Sequence, residues 1–489
     1  MPIRPYNQDQ MFLLPPSLDE WVRHDHPARV FSAVVDRIKT SQFRESKDEG
    51  RPAYHPTMML KVLLWGYATG VRSSRKIEER LQQDVVFMWL AGMERPDFRT
   101  LCLFRSDNRE TVEKVFAEVI MIAQAMGMGS LGLVALDGSK VRASSGVDTF
   151  RKVEDWKRIL TGARAEARRI VEEAESIDKA EDAGYGQDRR GDELPAEIEA
   201  TQKRINKIET LIKKAEELNK DETARLSTTD PEAGFMHTRN TSSPAYNAQL
   251  AVTDDQVIVY ADVTTEPVDV NQTKKAVETI QQTMSRTPGI LLADTGYSGG
   301  ENLRYLEAKE IDAYIPEAGE RQIGRTTRAR AHLYGKEAFQ YHETEDCYSC
   351  PQGKQLWPVS QNRTKTKYSN RSATIYRTER GVCPACPARQ QCTTNTKGGR
   401  SISRDGYEEY RARMKEKINS PEGKKIYGKR KCLVEPVFGQ LKTRGGFVQF
   451  LLRGLEKVKI EWKITATAHN LLKIIGAIMK KEQIPLSTA

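Results

Sequence analysis

Two short apolar runs constrain this chain more than anything else in it. GILLADTGYSG is continuously apolar up to Asp294 and then turns through Gly296, which is the pattern of a strand buried on both faces. LVALDGSKVRAS, from Leu133, reads as a second apolar strand that ends in Asp137 before Gly-Ser. Helix-like NQTKKAVETIQQTMSRT precedes the Asp294 strand, ENLRYLEAKE follows it, and IDAYIPE adds another buried strand. SPAYNAQLAVTDDQVIVYADVTT has Asp-Asp between two β-branched runs, a hairpin signal, and is expected to pair with the Asp137 strand. The chain therefore reads as α/β, with two carboxylates at strand ends.

A third carboxylate stands in Tyr427 to Phe447, YGKRKCLVEPVFGQLKTRGGF, where Glu435 lies among Lys429, Arg430, Lys431, Lys442 and Arg444. Val434, Val437, Phe438 and Leu441 recur at helical spacing and form one buried face, while Glu435, Gly439 and Lys442 share another. Because Pro436 lacks a backbone N–H and is tolerated in a first turn, the helix is predicted to start near Cys432–Glu435. The competing reading is a surface helix whose Glu is solvated among lysines.

The 489 residues exceed one small core, so several units are expected. The net charge of +10 favours a polyanionic partner, nucleic acid first. From Pro421 to Lys463, 11 Lys or Arg stand against 4 Glu, a net +7, so most of the excess is concentrated there. No run reaches the ~18 apolar residues of a membrane span, and MPIRPYNQDQ lacks the apolar core of a secretory signal, so a cytoplasmic, nucleoid-associated protein without a membrane partner is expected.

The N-terminal 125 residues read as three helices, within YHPTMMLKVLLWGYATG, VRSSRKIEERLQQDVVFMWLAG (a Ser pair at its cap) and PDFRTLCLFRSDNRETVEKVFAEVIMIAQAMG. Arg72, Arg75 and Lys76 at one helix entry, with Arg99 and Arg105 on another, suit a helix-turn-helix-like DNA reader; a dimerisation or packing bundle fits equally. Two insertions interrupt the α/β pattern. DWKRILTGARAEARRIVEEAESI and EIEATQKRINKIETLIKKAEELNK, joined by a Gly-rich link, form an antiparallel helical hairpin, with Ile205, Ile208, Ile212, Ala215 and Leu218 as its seam. The second insertion holds two C-x-x-C pairs, Cys347/Cys350 and Cys383/Cys386, which suit a four-thiolate zinc. Cys392 is an alternative ligand, and a β-rich insertion with reduced thiols is the other reading. Asn362 to Arg380 carries six Lys or Arg and one Glu, a DNA-facing composition.

Asp137, Asp294 and Glu435 flank alternating β and α segments once the insertions are set aside, and three converging carboxylates suit two divalent ions, Mg²⁺ or Mn²⁺. ALDGSKVRAS, YNAQLAV, LLADTGYSGGENL and RKCLVEPVFGQLKTRGGF with FLLRGLEKVKIEW resemble the blocks of DDE transposases of bacterial insertion sequences, most closely the insertion sequence eleven eighty-two group. The N-terminal helical block and the paired cysteines resemble that group too.

The resemblance implies an RNase H-like catalytic core, a mixed sheet flanked by helices. Its parts would be 126–145, 228–318 and 411–489, with an N-terminal helical, DNA-binding domain at 1–125, the helical hairpin at 146–227 and the cysteine-bearing insertion at 319–410. It further implies Asp137, Asp294 and Glu435 as the metal-binding triad and phosphoryl transfer on DNA. In the related Tyr-Arg-Glu-Lys signature Glu435 to Lys442 and Tyr427 to Arg430 fit, but Arg430 to Glu435 is one residue too long. Lys431 holds the expected Arg position, so either cation is a candidate. Tyr427, Arg430, Lys431, Lys442 and Arg444 are thus the expected DNA contacts, terminal inverted repeats and target DNA the partners, and a homodimer or higher assembly the working form. A catalytically idle DNA-binding regulator and a nuclease without strand transfer are the alternatives.

Overall fold

The computed structural model describes residues 17–39, 43, 53–185, 196–238, 241–317, 333–366, 369–395 and 398–482. Among these, six α-helices precede the first strand: α1 Pro27–Val35, α2 Pro56–Ala68, α3 Ser74–Gln83, α4 Val85–Ala91, α5 Phe98–Asp107 and α6 Arg109–Ala125. Two of the three helices read from the sequence are thus each cut in two. Asp84 makes one cut, because its carboxylate accepts the Val86 amide at 2.9 Å and caps a new helix. Asn108 makes the other, leaving helical geometry while its Nδ2 donates to Phe104 O at 2.9 Å. Ser73, of the Ser pair, takes the N-cap place of α3 without a side-chain bond.

Strand β1 (Leu133–Arg142) carries Asp137 in its middle, not at its end. Beyond Asp137 it stays antiparallel to its neighbour, so only the pairing on its other side stops there. The chain then enters the hairpin, whose base is the short pair β2 (Phe150–Lys152) and β3 (Arg225–Ser227) and whose arms are α7 (Val153–Tyr185) and α8 (Ala196–Glu217). Ile205, Ile208, Leu211 and Ala215 pack with Val153, Trp156, Leu160 and Ala163, and Ile212 is partly buried beside them. Residues 186–195, most of the Gly-rich link, lie outside the described residues.

β4 (Gly234–His237), β5 (Ser242–Thr253), β6 (Ile258–Thr264), α9 (Gln272–Met284), β7 (Ile290–Ala293), α10 (Gly300–Ala308) and β8 (Asp312–Tyr314) complete the core sheet. Its order is β4-β5-β1-β7-β8, with β6 also on β5; β5 runs antiparallel to its neighbours, and β1, β7 and β8 are parallel. This is the mixed sheet of an RNase H-like core. The second insertion is a separate antiparallel sheet, β9 (Gln340–His342), β10 (Cys347–Ser349), β11 (Gln355–Thr366), β12 (Ser369–Arg377) and β13 (Ser401–Arg404), with the short α11 (Arg389–Cys392). Of its basic stretch, residues 367–368 and the side chains of 364–366 and 369–371 lie outside the described residues.

The chain returns through α12 (Glu408–Asn419), α13 (Pro421–Thr443) and α14 (Leu455–Lys481). α13 starts fourteen residues before Glu435, where Ser420 Oγ accepts the Gly423 amide at 2.9 Å and Pro421 fills the first turn, and it runs on through Pro436. The predicted start near Cys432–Glu435 is therefore corrected. Pro436 deprives the Cys432 carbonyl of its helical donor, and Gln256 Nε2, from outside the helix, takes that place at 3.3 Å.

α14 closes the sheet. Its Asn470 pairs with both backbone groups of Ile258 at 2.8 Å, capping the β6 edge, and its apolar residues enter the cores on both sheet faces. The larger of those cores also contains α1 to α6, so the N-terminal helices pack directly on the core sheet and α14. Arg72 is buried: it donates to Glu461 Oε1 at 2.9 Å and to the carbonyls of Gly446 and Gln449, and lies 4.3 Å from the Phe447 ring centre. Arg105 is buried against the Tyr67 hydroxyl at 3.0 Å. Neither reaches the surface, whereas Arg75, Lys76 and Arg99 are exposed. Glu461 is 0% exposed, so removing Arg72 strands a buried charge. Arg72→Met should cost about 3–5 kcal/mol, read as a lower urea midpoint, and Glu461→Gln in the same chain should recover part of it.

Candidate active site

Strand register brings the two aspartates together. In the parallel pair β1/β7 Leu136 faces Ala293, so the next residue on each strand is Asp137 and Asp294. β7 ends there, and Asp294 Oδ1 accepts the Gly296 amide at 2.8 Å, fixing a single tight turn through Tyr297. Glu435 arrives from across the sheet on α13, whose Leu433, Val434, Val437, Phe438 and Leu441 are buried against the same face, with Ala135, Val141 and Leu250.

Arg430, one of the few buried cations, links strand and helix. Its Nη1 donates to Asp137 Oδ2 at 3.0 Å, and its Nη2 lies 3.9 Å from Glu435 Oε1. The side chains are 8% exposed for Arg430, 17% for Asp137 and 55% for Glu435, so the site is dry at the strand and open at the helix. Burial raises the Asp137 carboxyl to about 6; Arg430 opposes this and Asp294 adds to it. Lys431 is exposed, so of the two candidate cations Arg430 is the one that faces the carboxylates. Tyr427 is half-buried near Arg430, Lys442 Nζ donates to Ser139 Oγ at 3.1 Å, and Arg444 caps α13 beside a cavity lined also by Gln440, His469 and Lys473. Among the described residues, no three His, Cys, Asp or Glu side chains stand as a ready metal cage.

The family profile described as Transposase DDE domain matches residues 349–475, which include Glu435, Arg430 and Lys442. A second, described as Transposase domain (DUF772), matches residues 16–107, the stretch of α1 to α5. The chain thus carries a transposase DDE domain, preceded by a second transposase domain. No curated protein matches it. The DDE domain places the transposase among nucleotidyl-transfer enzymes, and among its described residues no helix is long and apolar enough to cross a membrane.

Four cysteines of the transposase, Cys350, Cys383, Cys386 and Cys392, line one cavity of the second insertion. Cys347 is not among them: it is buried on β10 with its Sγ 3.6 Å from Glu345 Oε2. Gly353, at φ +71, bends the chain so that the Lys354 amide donates to Cys350 Sγ at 3.3 Å. Burial raises the Cys392 thiol, Arg400 opposes, and the other three thiols add to the rise.

A polar layer beneath the aspartates is absent from the sequence reading. Asp269 Oδ1 accepts Asn247 Nδ2 at 2.6 Å, Gln249 Nε2 at 2.8 Å and Lys140 Nζ at 3.1 Å, while the buried Tyr297 hydroxyl donates to Gln249 Oε1. The signal was there: Asn247 and Gln249 alternate on one side of an otherwise apolar strand, and buried amides need partners. These side chains crowd Gly138, where a Cβ would lie 2.8 Å from Asp269 Oδ1 and 2.9 Å from Asn247 Oδ1. Gly138→Ala should therefore cost about 1–3 kcal/mol, read as a lower midpoint in a thermal melt.

Proposed function

We propose that this transposase binds the terminal inverted repeats of its element, one of the insertion sequence eleven eighty-two group, cuts at the ends and joins the 3′ hydroxyls to target DNA. The observation that carries the reading is the strand register, which sets Asp137 beside Asp294 at the point where Glu435 and Arg430 arrive from the most basic segment of the chain.

Asp137, Asp294 and Glu435 fit divalent ions in chemistry, being hard oxygen donors, and Mg²⁺ or Mn²⁺, as two ions, is the proposed cofactor. Bound there, the ions would supply an activated hydroxyl and stabilisation of the leaving oxygen. The chain's own contribution is electrostatic and positional. Arg430 offsets the charge of Asp137 and Glu435 before any cation arrives, and the dry setting of Asp137 makes its charged form a strong attractor of one. Lys442, tied to Ser139 two residues beyond Asp137, is placed to hold a backbone phosphate close to the cut, with Lys431, Tyr427 and Arg444 along the same helix. Holding two element ends calls for a homodimer or higher assembly, working on the nucleoid in the cytoplasm.

Replacing Asp137, Asp294 or Glu435 by Ala should lower Mg²⁺-dependent cutting of labelled element-end DNA by about 10³-fold or more with end binding retained. A Glu435→Ala protein that cuts normally would overturn the triad. Joined products with a supercoiled target identify strand transfer; cutting without joining leaves a nuclease, and binding without cutting a regulator.

The thiol cavity is proposed to hold a structural Zn²⁺ through Cys350, Cys383, Cys386 and Cys392, four soft donors on one small space. Metal analysis should find one zinc in wild-type protein and in Cys347→Ser, and none retained in Cys392→Ser; equal loss in both variants returns Cys347 to the ligand set.

A further inference from the structure

Pro436 follows Glu435 directly, in the middle of a helix that does not break. A proline cannot donate to the carbonyl four residues back, and its ring pushes that carbonyl outward. The carbonyl is that of Cys432, and Gln256 Nε2 meets it at 3.3 Å. Gln256 belongs to the turn between β5 and β6 and has φ +64, a conformation that residues other than glycine seldom hold without compensation.

The compensation is visible in its contacts. Gln256 Oε1 accepts from Lys473 Nζ at 2.7 Å and from Gln440 Nε2 at 3.4 Å, and its backbone carbonyl accepts from His469 Nε2 at 3.0 Å. One side chain therefore grips α13 on both sides of Glu435, at Cys432 and at Gln440, and α14 at Lys473. With Nε2 on a carbonyl and Oε1 on an ammonium, the amide has only one sensible orientation. Burial keeps the His469 imidazole neutral, its pKa lowered to about 4, so Nε2 can carry the proton it donates.

We propose that Gln256 is a positioning residue for Glu435: it replaces the helical bond that Pro436 removes and holds that turn of α13 against the core, so that Glu435 meets Asp137 and Asp294 in one place. Gln256 touches no DNA or metal in this role. The proposal rests on the reading of Glu435 as a triad member, and it makes a commitment that a general stabilising role does not. If the purpose of the Gln256 amide is to serve the carbonyl that Pro436 orphans, then giving that carbonyl its own donor should make Gln256 dispensable.

The test is a double-variant cycle on the full chain, with Gln256→Ala, Pro436→Ala and both together. Gln256→Gly joins it, because glycine relaxes the turn while removing the same side-chain bonds. Single-turnover cutting of element-end DNA is followed across a Mg²⁺ titration, with end binding by mobility shift beside it. Gln256→Ala and Gln256→Gly should each slow cutting by about tenfold and raise the Mg²⁺ concentration for half-maximal rate, leaving end binding unchanged. In the Pro436→Ala chain the same change at 256 should cost far less. Unaltered Mg²⁺ dependence in both single variants at 256, or costs that simply multiply in the double variant, overturns the proposal. Glu435→Ala run alongside separates the two claims. If it cuts normally, the triad reading fails; if it is inactive while Gln256→Ala and Gln256→Gly cut like wild type, only the role of Gln256 fails.

Discussion

The site depends on a buried carboxylate that its surroundings disfavour. Asp137 sits within a sheet strand, largely out of water and at the register position of Asp294, so its charge is disfavoured and a neighbouring cation offsets part of that cost. Arg430 is the cation the chain provides, and it sits five residues before Glu435 on α13. The pair is thus more than a local contact, because it fixes which turn of the helix stands over the strand ends. Apolar packing of α13 presses the helix onto the sheet without specifying its rotation or slide finely, whereas a bidentate-capable guanidinium aimed at one carboxylate does.

The N-terminal helices take part in the same arrangement. Arg72 leaves the entry of α3 and ends on Glu461 in α14, and on its way it collects the carbonyls of Gly446 and Gln449. Glu461 in turn accepts the amides of Leu451 and Leu452. The segment between α13 and α14 is therefore pinned by a buried charge pair whose other half is N-terminal. Such a pair contributes little net stability, but it tolerates no other partner, which makes it a device for unique geometry.

How much of this could be read from sequence follows from the range of the forces involved. The apolar strands, the hairpin seam at Ile205, Ile208 and Ala215, and the buried face of Val434, Val437, Phe438 and Leu441 are set by local periodicity, and they were legible. β1 continuing past Asp137 was not, because Gly138 to Arg142 stay extended only through their pairing with β5, a hundred residues away. α13 running through Pro436 was not, because the donor that replaces the lost bond is Gln256. For Arg72 and Arg105 the sequence leaves a DNA reader and a packing bundle equally open, because nothing near them in sequence reveals Glu461 or Tyr67. Spacing leaves open whether Cys347 or Cys392 joins the other three cysteines; in the fold Cys392 lines their cavity and Cys347 does not.

Topology also explains where the insertions sit. β1, β7 and β8 are parallel, so their C-terminal ends lie along one side of the sheet, and Asp294 marks that side. The helical hairpin leaves the chain after the end of β1, and the cysteine-bearing sheet leaves it after the end of β8. Both therefore depart from the side that carries the carboxylates, which is where parallel sheets open to their ligands. An insertion placed at the opposite ends would have left the core equally intact but would have put its charge away from the site. Core and additions thus share one side: the sheet supplies fixed carboxylates there, and the elements hung from its strand ends extend the surface around them.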